Sequence, residues 1–494
     1  MSQKTKLSGH AAHTKDASTS ALPGEFSRPI KITMLGAGSG FTPRLVNDIL
    51  QTPGEKGGTI ALVDIDESRL TTMAKVIRKL IAKLGKKNWK VLASTDRRVV
   101  LAQSHYIVNC IEVSGLECVQ FDNDIPLKYG IDQCIGDTIG PGGLFKALRT
   151  VPVFLEVLKD AERLAPEAIV LNYTNPMNIL CLAAGRTSPL SLVGLCHSVQ
   201  GTSQLLSEYA EIAYPEMEWE CAGINHLAWF TKLKHGGKDL YPQLKKQFAG
   251  EIALGHREAK AGLVRTDALD PRNAGEGDIL TKTKDLVRKD MCLHFGAFIT
   301  ESSGHLSEYL PYYRKSPEGR ELLRPGYDGG SRFYASNWPQ WREGADRQRL
   351  ALVRGTEPLD WTRSWEYASW IIEAREKNVP YRFHGNVPNQ IDGGGSLITN
   401  LPQNGCVEVA TLVDGNGIQP TRFGALPPQM AALCASNMAV FDLGATAAIE
   451  RSKEAAIHAL LLDPLTAAVC SPRQIKAMTL ELFQAEKAFL PGYK

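Results

Sequence analysis

The chain has no CxxC pair, no internal repeat, no excess of either charge and no apolar run of about 18 residues. Each absence removes a class of protein. Ten cysteines, at positions 110, 118, 134, 181, 196, 221, 292, 406, 434 and 470, are too sparse in 494 residues for a disulfide scaffold. They predict a reduced chain in the cytoplasm, with any special cysteine acting alone. A net charge of +3 gives no electrostatic footprint for nucleic acid or an anionic membrane. The lack of a long apolar run predicts no membrane span. Residues 1–29 lack the apolar core of a secretory signal and read as a flexible N-terminal tail. What is present is ordinary for a globular protein: 43% hydrophobic and 22% charged residues. The length suits two or three domains or one interleaved α/β unit.

Order is expected to begin at Ile30. Ile30 to Leu35 reads as a buried strand, followed by the glycine turn Gly36-Ala37-Gly38-Ser39-Gly40. Thr42-Pro43 suits an N-cap and first helical position, opening a helix to Leu50. Thr59–Val63, Val91–Ser94, Tyr106–Ile111, Ala168–Asn172 and Leu192–Cys196 read as further strands. Helical segments at 67–84 and 151–164 alternate with them. The pattern predicts a doubly wound parallel sheet over 30–200. Residues 201–494 read as an α+β second half. It would hold paired strands around Asn225-His226, a helical and charged stretch at 240–300, and an irregular excursion at 315–350. Apolar helices are expected at 428–449 and 472–488. Five of the eight tryptophans fall at 338, 341, 361, 365 and 370. They could stack on a ligand, build an interface or simply pack.

The strand–glycine turn–helix at 31–50 is suited to a pyrophosphate, because glycines admit close approach and a helix start offers free N–H groups. Asp64 ends the next strand and could accept from a ribose, which favours NAD over NADP. Phe41 holds the third glycine's place. The bland alternative is a tight turn without a ligand. Asn175, before Pro176 at the same sheet edge, could bind sugar hydroxyls or merely form an Asx turn. Cys196 and His197 are neighbours on an extended stretch and cannot easily chelate one ion together. Cys196 and His226 could meet in space around a divalent metal. Cys196 could instead be a nucleophile, or both could be core residues.

Taken together, ITMLGAGSGFTPRLVNDIL at 32–50, IGDTIGPGGLFKALR at 135–149, NYTNPMNIL at 172–180, LCHSVQGT at 195–202, CAGINHLAWF at 221–230 and ESSGHLSEYLPYY at 301–313 resemble glycoside hydrolase family 4. NLPQNGCVEVATLVD at 400–414 and LLLDPL at 460–465 fit as well. The resemblance implies a Rossmann-type sheet like that of lactate and malate dehydrogenases, and a recycled NAD with Mn²⁺ or another divalent cation. By it, Gly36, Gly38, Ser39 and Asp64 bind NAD, Cys196 and His226 bind the metal, and Asn175 and Arg149 bind substrate. Tyr309 and Asp290 become base candidates. His197 stands where many phosphoglycosidases carry Asp, and becomes the acid candidate. CHSV resembles the α-galactosidase branch, acting on unphosphorylated sugar.

The chemistry so implied is oxidation at C3, deprotonation at C2, elimination of the aglycone, water addition and re-reduction. An α-glucosidase, an α-glucuronidase or an α-galacturonidase of the same family stays open. So do a lactate/malate-type dehydrogenase and a non-catalytic NAD sensor. The resemblance also implies a homodimer or homotetramer whose partner is a small glycoside.

Overall fold

A computed structural model of the protein describes residues 21–264, 281–391 and 393–494. Its strands are Ile30–Leu35 (β1), Gly58–Val63 (β2), Trp89–Ser94 (β3), Tyr106–Asn109 (β4), Ile169–Asn172 (β5), Leu192–Gly194 (β6), Met217–Ile224 (β7), Leu227–His235 (β8), Lys238–Asp239 (β9), Phe298–Ile299 (β10), Tyr381–Pro388 (β11), Cys406–Asp414 (β12) and Gly417–Pro420 (β13). The helices that matter for the site are Thr42–Leu50 (α1), Glu67–Lys83 (α2), Gly115–Lys128 (α3), Gly140–Leu164 (α4), Met177–Thr187 (α5) and Ser198–Tyr209 (α6). In the second half they are Leu286–Phe295 (α7), Ser303–Glu308 (α8), Phe333–Arg354 (α9), Tyr367–Lys377 (α10), Pro428–Glu450 (α11) and Pro472–Ala485 (α12).

β3-β2-β1-β4-β5-β6 run parallel, in the order of a doubly wound dinucleotide fold. Their near-continuous apolar sequences fit strands covered on both faces. β4 and β5 are buried at every position. The second half continues this layer. β11, β12, β7, β8 and β10 extend the same sheet beyond β6, all antiparallel. One sheet therefore spans both halves, and the boundary near residue 200 divides topology rather than structure.

Several expected boundaries move. α4 begins at Gly140, not Val151. Its first turn contains Pro141-Gly142-Gly143, which reads as loop in sequence. Gly143 is required because a Cβ there would lie 2.4 Å from the Thr138 carbonyl carbon. At α1 the N-cap is Phe41 rather than Thr42, since the Thr42 N–H already donates to the Ser39 carbonyl at 3.2 Å. The expected irregular stretch at 315–350 contains the long helix α9. α9 packs on α2 through Arg69, which binds Asp346 with two nitrogens at 3.1 and 2.9 Å. The tail is also shorter than expected. Residues 1–20 lie outside the described residues, but Leu22 and Phe26 are buried. The Leu22 N–H donates to Glu373 of α10 at 3.0 Å, and Arg28 pairs with Glu376.

α11, expected as an apolar helix at 428–449, is long and apolar enough to cross a membrane by length and composition alone. It packs against α4 and α5, and that contact accounts for its apolar face.

Candidate active site

The glycine turn closes β1 at the switch point between β1 and β4. Gly36 has φ +68°, and a Cβ there would stand 2.4 Å from the Cys110 carbonyl oxygen. Only glycine fits. The Gly38 N–H donates to Asp64 Oδ2 at 2.7 Å, and the Asp66 N–H donates to Oδ1 at 2.9 Å. Asp64 thus ties the turn to the end of β2. A cleft of about 1850 Å³ begins here, lined by Gly36, Gly38, Ser39, Phe41 and Asp64 on one side and by α9 on the other. The four residues expected to bind NAD are brought together. A glycine turn at a switch point, a carboxylate at the next strand end and a long cleft fit a dinucleotide. Phe41, half-exposed, stacks on the imidazole of His197 at 6.1 Å between centroids and 19°.

The second centre lies where the parallel and antiparallel parts of the sheet meet. β7 and β8 are joined by Asn225-His226, with Ile224 opposite Leu227. His226 is left-handed, with φ +63°. β10 pairs with β8 so that the Thr300 N–H donates to the Ala228 carbonyl at 2.9 Å. That register brings Glu301 beside the turn, and Glu301 is left-handed too, φ +70°. Non-glycine residues held at positive φ concentrate at functional sites. Cys196, just past β6, completes the group. Its Sγ is 3.4 Å from His226 Nε2, which is 3.6 Å from Glu301 Oε2. The three ligand atoms lie within 4.8 Å of one another.

Thiol, imidazole and carboxylate form a mixed donor set that suits a divalent cation. The electrostatics fit as well. Burial pushes the Cys196 thiol up to about 12, with Glu301 and Glu408 adding to the effect. Burial raises Glu408 to about 7 despite the pull of His226. Glu408 Oε2 and both polar atoms of the Asn225 amide are buried without a hydrogen-bond partner. A cation at this concentration of negative potential would relieve it.

Around the triad stand the remaining polar groups. Tyr309, at the end of α8, has its hydroxyl 3.4 Å from His226 Nδ1. Burial raises its phenol well above the ordinary value, helped by Asp137 and Glu308. Asn175 Nδ2 donates to Asp137 Oδ2 at 3.2 Å. Burial alone would raise Asp137, but Lys146 and His305 outweigh it and hold the carboxyl below its usual range. Lys146 is buried between Glu112 at 3.0 Å and Asp137 at 3.8 Å. His197 Nε2 bonds Glu366. Burial alone would lower His197, yet the Glu366 hydrogen bond and charge hold it raised to about 9.

Two expected site residues lie elsewhere. Arg149 is buried in an ion-paired cluster: Asp122 accepts from Nη1 at 3.0 Å and from Nη2 at 2.6 Å, and Glu486 accepts from Nη1. Its charge is consumed inside the protein, joining α3, α4 and the residue that follows α12. Asp290, on α7, accepts from the Tyr313 hydroxyl at 2.7 Å and lies 3.4 Å from His294. It is not part of the cation cluster. Glu301, which sequence reasoning passed over, is. The signal was available, because Glu301 heads the segment 301–313. Glu408 likewise sits inside the 400–414 segment. Glu366 gave no local signal, since only the fold brings it to His197.

A model described as "Family 4 glycosyl hydrolase" matches residues 31–212, and one described as "Family 4 glycosyl hydrolase C-terminal domain" matches 221–466. An alpha-galactosidase of Bacillus subtilis (strain 168) is 37% identical over 468 residues, covering 94% of this chain and 100% of the relative. An alpha-galactosidase of Rhizobium meliloti (strain 1021) is 36% identical over 474 residues, covering 94% and 89%. Among solved structures, a 6-phospho-alpha-glucosidase from gut microorganisms in complex with NAD and Mn²⁺ superposes with a TM-score of 0.73. It is 21% identical and covers 94% of this chain and 100% of its own.

Proposed function

The chain belongs to glycosyl hydrolase family 4, and from that premise we propose that it is an α-galactosidase acting on unphosphorylated substrate with NAD and Mn²⁺. The observation that carries the reading is its 37% identity to an α-galactosidase along that relative's entire length. The charge around Asn175 and Asp137 supports a neutral sugar. Lys146, the cation beside them, is taken up by Glu112 and Asp137 rather than left for a phosphate or a uronate. Free thiols at all ten cysteines support a reducing, cytoplasmic setting, which a cysteine ligand would need.

Cys196 Sγ, His226 Nε2 and a Glu301 carboxylate oxygen would hold the cation. The turn at Gly36, Gly38 and Ser39, with Asp64, would hold the dinucleotide. When bound, NAD supplies a reversible hydride acceptor and the cation supplies Lewis acidity. The chain's own groups handle binding and protons. Asn175 and Asp137 bind sugar hydroxyls. The Tyr309 oxygen, beside the triad, is the group we assign to accept a proton, in preference to Asp290; a cation held at the triad would offset the burial that otherwise keeps its phenol protonated. His197, protonated against Glu366, is the group we assign to give one to the departing alcohol. Tyr173 and Phe41 flank His197.

The test is incubation with nitrophenyl α-galactoside, Mn²⁺, NAD and a thiol reductant. Nitrophenol release without stoichiometric NADH is expected, with slower release from the α-glucoside and the α-galacturonide. Preference for the uronide would overturn the choice of sugar. Steady NADH growth from a hydroxy acid, with no glycoside cleaved, would overturn the whole reading.

A further inference from the structure

The long cleft at the glycine turn has a wall that the dinucleotide fold does not itself supply. α9, from the second half of the chain, contributes Trp338, Trp341, Arg342 and Arg349 to its lining. Its placement is fixed by the bidentate Arg69–Asp346 pair, to which Arg349 adds a further contact. Helix and fold are therefore held together along this edge.

The cations of the cleft differ in what they are doing. Arg69 and Arg349 are committed to Asp346, Arg97 to Asp160, and Arg98 to Asp96. Arg163 is committed to Asp160. Arg44 is exposed and stands over the ring of Trp361 at 4.2 Å. Lys159 is exposed on α4. Arg342 is half-buried and, among the described residues, has no acidic partner. Its Nη1 lies 3.0 Å from where a Cβ on Gly115 would be, so the guanidinium rests against bare backbone at the start of α3. Ser114, the N-cap there, makes no side-chain capping bond. Across the cleft is the equally bare turn at Gly36–Gly40.

A half-buried guanidinium without an acid is free to bind an anion through charge-assisted hydrogen bonds. We infer that Arg342 binds the pyrophosphate of the dinucleotide, so that the cofactor site is shared between the two halves of the chain. The inference rests on the NAD reading above. The glycine turn offers close approach to its backbone but no positive side chain, since Arg44 stands over Trp361 and the Ala37, Gly38 and Ser39 N–H groups donate within the protein. Arg342 supplies the missing charge, in the forked geometry that suits phosphate oxygens.

The test is calorimetric titration of the full-length protein with NAD and with ADP, for wild type, Arg342→Met and Arg342→Lys. Thermal unfolding and Mn²⁺ affinity without NAD serve as controls. Arg342→Met is expected to raise both dissociation constants roughly 10- to 100-fold, with Arg342→Lys between the two and both controls unchanged. Dissociation constants within twofold of wild type would overturn the inference. Loss of NAD binding together with Mn²⁺ affinity and thermal stability would also overturn it, in favour of a packing role. Wild-type protein that binds neither NAD nor ADP would instead overturn the cofactor reading beneath it.

Discussion

The hydroxyl of Tyr309 lies 3.4 Å from Nδ1 of His226, on the side of the ring away from Cys196. With a cation held at Nε2, which needs the lone pair there, the proton would sit on Nδ1 and be donated to the phenol oxygen. In that state Tyr309 would orient the imidazole. Tyr309→Phe leaves Nδ1–H buried and unpaired. It is expected to weaken Mn²⁺ binding roughly 10- to 100-fold, read as free Mn²⁺ by electron paramagnetic resonance. Unchanged affinity would remove the orienting role.

Glu301 stands in the cation cluster, and Asp290, expected from the sequence, does not. Glu301→Gln removes a charged ligand and is expected to lower Mn²⁺ affinity and turnover at least tenfold, a loss on the order of 1.4 kcal/mol. Asp290→Asn, whose partners are Tyr313 and His294, is expected to retain turnover within about threefold, a difference below the roughly 1 kcal/mol of an ordinary hydrogen bond. The reverse ordering of the two variants would return Asp290 to the site.

Arg149 serves stability. With Asp122 and Glu486 buried around it, Arg149→Met leaves two carboxyl groups without their cation and is expected to cost about 3–5 kcal/mol. Urea unfolding measures the loss, and KM of the folded fraction should not move. A raised KM at unchanged stability would restore the substrate-binding role.

Much of this architecture was legible in the chain itself. The parallel strands announce themselves because strands covered on both faces must be apolar, and the glycine turn because no Cβ fits at Gly36. Cys196 and His226 were found because each sits in a recognisable segment. What failed has physical causes too. The glycines that let α4 begin tightly against residues 136–138 look like a loop. α9 carries Pro339 and Gly344, and its helicity comes from packing on α2 and α3. Glu366 reaches His197 only through the fold. Arg149 matched by sequence, but its charge is spent on two acids that lie 27 and 337 residues away.

Asp48 gives the fold a pH signature. It accepts from the Ser364 N–H at 2.9 Å and from the Ser364 hydroxyl, holding the segment that leads to Glu366. Burial pushes its carboxyl up to about 6, with hydrogen bonds from Ser364 and Asn47 opposing. An acid whose folded pKa is raised binds a proton more tightly when folded, so its contribution is full below the unfolded value near ~3.9 and is lost as pH rises through 6. Asp48→Asn lacks that loss. Its stability relative to wild type is expected to rise by about 2 kcal/mol from pH 4 to pH 7. Thermal unfolding of both proteins across that range checks it, and a constant difference would contradict it.

The central claim is that this protein cleaves a glycoside through temporary oxidation of the sugar. Hydrolysis of nitrophenyl α-galactoside in D₂O, with NAD and Mn²⁺ present, tests it most directly. Proton removal at C2 predicts galactose carrying solvent deuterium at C2, seen as loss of that proton resonance by NMR, with no net NADH. Released galactose that keeps its C2 proton would contradict the account, because direct displacement at C1 never touches that position.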